Sequence, residues 1–132
     1  MDWVKQATTW WNDQIMYNYI QLDEARCEYI PIAADGDIKV GERLFVEIDN
    51  LTLVVFNIAG QLYAIADVCS HDDGPVGEGD LDGFEVACPR HGARFDVRTG
   101  KVLSFPAVVD IPAYPVRIRD GQIEVGIPYD QD

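Results

Sequence analysis

The sequence is poor in the residues that bind nucleic acids or anionic membranes. Its 132 residues include 10 Lys and Arg against 23 Asp and Glu, which gives a formal net charge of −13. Because nucleic acids and anionic lipids carry charge of the same sign, this balance predicts that neither is a partner. The acidic surface fits either a protein that is steered onto a basic docking face or one with no special partner.

Long apolar runs are also missing. No stretch approaches the ~20 apolar residues of a membrane-spanning helix. The start, Met1-Asp2-Trp3, lacks the basic residues and apolar run of a signal peptide. We therefore expect no membrane association.

Histidine and cysteine are scarce, yet they are concentrated. The chain has two histidines and three cysteines, and four of these five residues form the pairs Cys69-x-His71 and Cys88-x-x-His91, sixteen residues apart. One loop can present two donors, and two facing loops can complete a set of four metal ligands. The first hypothesis is a metal site with Cys69, His71, Cys88 and His91 as ligands.

Each pair mixes one cysteine with one histidine, which bears on the metal. Structural zinc usually takes a Cys pair and a separate His pair. Mixed pairs suit a dinuclear centre in which both cysteines bind one iron and both histidines bind the other. A zinc-stabilised interaction domain is one alternative. The simplest alternative is that the cysteines are buried thiols and the histidines are core residues, with no metal bound.

The complete pattern, with Gly92 after the second histidine, resembles the Rieske 2Fe-2S motif, and the resemblance runs from about residue 28 to 128. It implies one 2Fe-2S cluster held by the four residues. It also implies an all-β, antiparallel sandwich or barrel with a small cluster-binding subdomain at about 68–107. The segment at 104–107, Ser-Phe-Pro-Ala, resembles the third, proline-containing loop that covers the cluster in this family.

The length predicts one domain. The composition separates an N-terminal segment from the rest of the chain. All three tryptophans fall in residues 1–26, where an approximate helical stripe predicts a short, partly helical extension. This extension either packs on the domain as a terminal helix or serves as a partner or self-association surface. Residues 27–132 are predicted to form the Rieske domain.

Short β-rich runs separated by turn residues predict the strands of this domain. The predicted strands are 28–33, 43–48, 51–58, 61–67, 108–111, 114–119 and 122–126. Glycines at 74, 77, 79 and 83 let the backbone turn and approach closely near the first pair. Six acids and no base lie in 72–85, and four bases lie in 90–101. One cluster loop should therefore be acidic and its neighbour basic.

The resemblance implies an electron carrier and not an enzyme. The closest likeness is to the small ferredoxin components of ring-hydroxylating oxygenase systems, which pass electrons from a reductase to a terminal oxygenase or similar acceptor. Both histidines belong to the cluster, so none is left for the mononuclear iron site of an oxygenase domain. The alternative is a small Rieske subunit of a larger reductase, such as a nitrite-reductase-like complex.

Some high-potential features of the family are absent. Those members have Ser two positions after the second His ligand and Tyr two further on, and the residues here are Ala93 and Phe95. Their cluster loops also carry an extra disulfide, at positions that are Gly74 and Arg90 in this chain. We therefore expect a potential towards the lower end of the Rieske range. Cys27 is the third cysteine, and with the other two assigned as ligands it is expected to be a buried structural thiol in a reducing cytoplasm.

Overall fold

The computed structural model describes residues 26–129, which form ten β-strands and no helix. The all-β prediction is confirmed for this part of the chain, and no helix in it could span a bilayer. The predicted helical extension lies outside the described residues except for Arg26. The strands are β1 (Cys27–Ala34), β2 (Arg43–Ile48), β3 (Leu51–Ile58), β4 (Gln61–Ala66), β5 (Leu81–Asp82), β6 (Glu85–Ala87), β7 (Arg94–Asp96), β8 (Ala113–Tyr114), β9 (Val116–Arg119) and β10 (Gln122–Pro128).

A four-stranded antiparallel sheet in the order β2-β3-β4-β8 forms the middle layer. The sequence of β3, LTLVVFNI, is a nearly continuous apolar run because both faces of this strand are buried. Leu53 and Val55 point to one face, and Val54 and Phe56 point to the other. The sheet thus contributes to two separate hydrophobic cores.

One core lies between the middle sheet and a second antiparallel sheet, β1-β10-β9, to which β10 contributes Ile123 and Val125. The other core lies on the opposite face, against a small sheet β5-β6-β7. Cys69 and Cys88 belong to this second core, together with Val86 and Phe95 of the small sheet. The candidate site is therefore built over one face of the middle sheet.

Two-residue turns set the register of the main hairpins. Ala59-Gly60 joins β3 to β4 and Asp120-Gly121 joins β9 to β10, with positive φ at all four residues. Such turns match the twist of antiparallel strands. The predicted strands at 43–48 and 51–58 have the observed bounds. The strand predicted at 28–33 is one residue longer at each end, and those at 61–67 and 122–126 differ by one or two residues at one end.

The predicted strand at 114–119 is interrupted at Pro115, which has no N–H for a ladder. The chain changes sheets at this proline, because β8 pairs with β4 whereas β9 pairs with β10. The sequence predicted one strand because the apolar pattern continues across the break.

The predicted strand at 108–111 is wrong, because this segment is a loop. Its polar groups bond to other loops: Val109 O accepts from Ser70 Oγ, Asp110 Oδ1 accepts from Val102 N at 2.8 Å, and Ile111 N donates to Gly100 O at 2.8 Å. A short apolar run does not by itself distinguish a strand from such a loop.

Candidate metal centre

The two Cys/His pairs lie on two neighbouring loops. The first ligand loop (residues 67–80) connects β4 to β5 and carries Cys69 and His71. The second ligand loop (residues 88–93) connects β6 to β7 and carries Cys88 and His91. Since β6 and β7 are paired strands, the second loop is the tip of a hairpin that faces the first loop.

The structure brings the four side chains together as two like pairs. The Sγ atoms of Cys69 and Cys88 lie within 4.8 Å of each other, and both cysteines are buried. The rings of His71 and His91 lie with their centroids 5.0 Å apart at an angle of 86°, and both residues are exposed. The thiol pair is therefore internal and the imidazole pair is at the surface.

The two loops share one backbone pattern. Cys69 N donates to the carbonyl oxygen of residue 74 and Cys88 N to that of residue 93, five positions on in each case, at 2.6 and 2.7 Å. Each cysteine carbonyl accepts from the residue four positions later, Asp73 or Gly92, and both of these have positive φ. Glycine and aspartate tolerate this left-handed conformation better than most residues. Each cysteine is therefore held at the start of the same kind of turn.

The surroundings of the Cys69 thiol suit a metal-bound thiolate. Burial raises the pKa of Cys69, backbone N–H groups of His71 and Asp72 act in the opposite direction, and the nearby Cys88 raises it further. Two thiolates buried side by side would be unfavourable without a cation. The N–H groups directed at sulfur are the contacts that a metal–thiolate centre uses in its outer shell.

The arrangement distinguishes two metals from one. A single tetrahedral zinc with ligand bonds of 2.0–2.3 Å places its donors roughly 3.3–3.8 Å apart. Among the described residues, the set of three donors within 4.8 Å of one another is Cys69, Cys88 and Asp72, and it includes neither histidine. Separate thiol and imidazole pairs fit a dinuclear iron–sulfur cluster better than one zinc ion.

Asp72, the third donor of that set, is ion-paired with Arg90. Its Oδ2 and Oδ1 accept from Arg90 Nε and Nη2 at 2.6 and 2.9 Å. The Arg90 guanidinium and the N–H of Gly74 hold the pKa of the Asp72 carboxyl far below its usual range. An acid of the first ligand loop is thus paired with a base of the second, whereas Arg94 pairs with Glu85 at 3.6 Å within the small sheet, between β7 and β6.

Two residues outside the motif hold the first ligand loop. Asp67 Oδ1 accepts from the N–H groups of Val76 and Gly77 at 2.9 and 2.6 Å. Arg43 Nη1, from β2, donates to the carbonyl groups of Gly77 and Gly79 at 2.5 and 2.8 Å. The sequence analysis missed Arg43, because nothing in the sequence indicates which loop a strand residue 34 positions away will contact.

The third loop (residues 103–109) is hydrogen-bonded to the first ligand loop and to the first residue of β7. Ser70 donates to Val109 O in the first connection. Arg94 N donates to Ser104 Oγ at 3.1 Å in the second, just beyond the second ligand loop. Ala107 is buried in the same core as the two cysteines, whereas Phe105 is 80% exposed. The loop therefore turns an aromatic side chain outwards beside the site.

Comparison with known proteins agrees with this geometry. Residues 28–115 match the Rieske [2Fe-2S] domain family. The naphthalene 1,2-dioxygenase ferredoxin component of Pseudomonas putida is 34% identical over 100 residues, which cover 76% of this chain and 96% of that protein. The 3-phenylpropionate/cinnamic acid dioxygenase ferredoxin subunit of Escherichia coli K12 is 38% identical over 94 residues, 70% of this chain and 88% of that subunit.

Solved structures give the same result. The ferredoxin of carbazole 1,9a-dioxygenase from Nocardioides aromaticivorans IC177 superimposes with a TM-score of 0.69 at 30% identity, covering 74% of this chain and 95% of that one. A chain from a complex of reduced oxygenase and oxidized ferredoxin in carbazole 1,9a-dioxygenase has a TM-score of 0.71 at 30% identity, with 79% and 97% covered. The family match, the ferredoxin relatives and the paired thiols and imidazoles lead to one conclusion: the chain belongs to the Rieske [2Fe-2S] domain family, whose cofactor is a Rieske-type 2Fe-2S cluster.

Proposed function

We propose that the protein is a one-electron carrier, the ferredoxin component of a multicomponent oxygenase system, which takes electrons from a reductase and passes them to a terminal oxygenase. Cys69 and Cys88 would hold the inner iron, and His71 and His91 the outer one. When bound, the cluster takes up and releases one electron. The observation that carries the proposal is the exposed imidazole pair directly outside a buried thiol pair.

A carrier needs a surface route for electrons but no substrate site. The two imidazoles at the surface supply that route, because a partner can come within transfer distance of the metal they bind. Substrate chemistry is assigned to a partner protein, because the relatives are named as ferredoxin components of dioxygenase systems.

The docking face is inferred to combine the imidazole edges with the third loop. Leu103, Phe105 and Val108 of this loop are exposed apolar side chains, and Ser70 and Ser104 tie the loop to the neighbourhood of both pairs. An apolar rim beside a redox centre favours short-lived but close contact with a partner protein. The relatives named as dioxygenase ferredoxins favour this assignment over a subunit of a nitrite-reductase-like complex. A large subunit that co-purifies tightly would support the latter instead.

The compartment is inferred from the thiols. No disulfide joins the three cysteines, all of which are buried in the described part of the chain. Rieske proteins with an extra disulfide differ in this respect, and reduced thiols are usual in a cytoplasm. We infer a cytoplasmic carrier.

The cluster itself is tested by composition. Purified protein is expected to contain iron and acid-labile sulfide in equal amounts, to absorb visible light, and to take up one electron per chain in a reductive titration. Protein made with iron available that contains stoichiometric zinc and no sulfide would contradict the proposal and favour a zinc-stabilised domain.

The midpoint potential is expected near the lower end of the Rieske range of about −150 to +300 mV. Ala93 and Phe95 are fully buried in the core that contains Cys69 and Cys88, and neither side chain can donate a hydrogen bond. A donor to sulfur stabilises the cluster more after it gains an electron. If that difference is about 1–2 kcal/mol, each added donor raises the potential by roughly 40–90 mV. Voltammetry of Ala93→Ser and Phe95→Tyr tests this.

Ala113→Ser is the matched control for this measurement. It adds a hydroxyl to another fully buried alanine of the same core, but on β8 and not in the second ligand loop. Its potential should stay at the wild-type value. A wild-type potential well above about +150 mV would contradict the expectation, as would donor variants that keep their cluster and do not shift upwards.

Electron transfer to the physiological partner is expected to slow as salt rises. A net charge of −13 attracts a basic docking face. That attraction weakens as the Debye length falls from ~30 Å at 0.01 M to ~8 Å at 0.15 M ionic strength. Stopped-flow rates over this range provide the measurement. If the electron-transfer rate does not depend on ionic strength but is lower for Phe105→Ala than for wild type, docking depends on the apolar rim and not on charge.

A further inference from the structure

Arg90 joins the two ligand loops immediately beside the imidazole pair. It precedes His91 in the second ligand loop, and its partner Asp72 follows His71 in the first. The guanidinium donates to both Asp72 oxygens, at 2.6 and 2.9 Å, and to the carbonyl oxygen of Pro75 at 2.7 Å. Three hydrogen bonds thus cross from one loop to the other.

The first ligand loop is shaped to receive this side chain. A Cβ built on Gly74 would lie 2.6 Å from Arg90 Cζ, so the guanidinium rests directly against that glycine. Gly74 N donates in turn to Asp72 Oδ1 at 3.0 Å, which orients the carboxylate. The side chains of Arg90 and Asp72 are 34% and 24% exposed. The pair is therefore partly sheltered, and its geometry is set by the loop as well as by charge.

We propose that Arg90 is a positioning residue that closes the first ligand loop on the second and so retains the cluster and sets the separation of the two histidines. The proposal rests on the ligand assignment given above. A guanidinium presents its N–H donors in one rigid, planar fork, whereas lysine has a compact ammonium group on a flexible chain. The shape of the side chain, and not only its charge, is what the loops require.

The experiment uses the full-length protein with its cluster and two measurements. The first is the half-time for loss of visible absorbance in excess iron chelator. The second is the midpoint potential at fixed ionic strength. Arg90→Lys keeps the charge but loses the fork, whereas Arg90→Gln and Asp72→Asn remove opposite charges. Arg94→Gln is the matched control, because it removes another partly exposed arginine that pairs with an acid, but within the small sheet and not between the two ligand loops.

In Arg90→Lys we expect the cluster to be lost on the order of tenfold faster than in wild type, at the lower end of the effect of removing outer-shell partners of metal ligands. Its potential should stay near the wild-type value. Arg90→Gln and Asp72→Asn should both accelerate loss, while their potentials move down and up respectively. Arg94→Gln should release its cluster at the wild-type rate.

Arg90→Lys that retains the cluster as long as wild type would overturn the proposal, as would equal acceleration in Arg94→Gln. Opposite shifts of potential with unchanged release rates would also overturn it, because they would show a role for charge alone. If Arg90→Lys does not fold, Asp72→Asn decides by the same criterion. A wild-type protein without iron and sulfide would instead contradict the function proposed above, so the two failures are distinguishable.

Discussion

Replacing Cys69 or Cys88 with serine is expected to abolish cluster binding, an effect larger than the 10- to 100-fold loss of metal affinity typical of outer-shell changes. Both thiols lie in the hydrophobic core under the small sheet, so the loss should also loosen that core. The core between the two larger sheets contains neither cysteine. These two sheets should therefore keep most of their β-structure. Iron and sulfide content, with near- and far-ultraviolet circular dichroism, gives the measurement.

Cys27→Ser is the matched control for these two variants. Cys27 is also buried, but it begins β1 in the sheet on the other side of the molecule. The same substitution there should leave the iron content at the wild-type level. Loss of the cluster in Cys27→Ser, or its retention in Cys88→Ser, would contradict the ligand assignment.

Gly79→Ala is expected to destabilise the protein by about 3 kcal/mol or more, the upper end of the usual cost of overpacking. A Cβ at this position would lie 1.6 Å from the carbonyl oxygen of Ala87, the last residue of β6, and 2.8 Å from its carbonyl carbon. Backbone cannot rotate away as a side chain can. The required shift would move Ala87 and hence the adjacent Cys88, so cluster content should fall as well.

Gly83→Ala separates this clash from the general effect of losing a glycine. Nothing lies within 4 Å of a Cβ at Gly83, whose φ of +62° is left-handed. Its expected cost is only that of the backbone conformation, about 1–2 kcal/mol. Chemical denaturation of both variants gives the comparison. Equal stability of Gly79→Ala and Gly83→Ala would mean that β6 moves aside easily.

Local features of the chain were predictable because their causes are local. The hairpin strands at 43–48 and 51–58 follow from apolar runs bounded by turn residues, and two-residue turns permit only one register. The four candidate ligands were identifiable because histidine and cysteine are so rare in this chain. The family resemblance rests on these same few positions.

The strands of the small sheet were missed for an equally physical reason. They have two or three residues each, which is too short for an alternating pattern to stand out. The loop at 108–111 was mistaken for a strand because its partners, Ser70 and Gly100, are not neighbours in sequence.

By itself, therefore, the sequence determined the β-rich class, the main hairpins and the four donor residues in two mixed pairs. Only the tertiary structure decided that Arg43 and Arg90 hold the ligand loops. The physical reason is that the first set depends on neighbours along the chain, to which the pattern of residues responds directly. The contacts of the two arginines depend on which loops pack together once the middle sheet has buried both of its faces. The spacing of residues along the sequence does not indicate which loops those are.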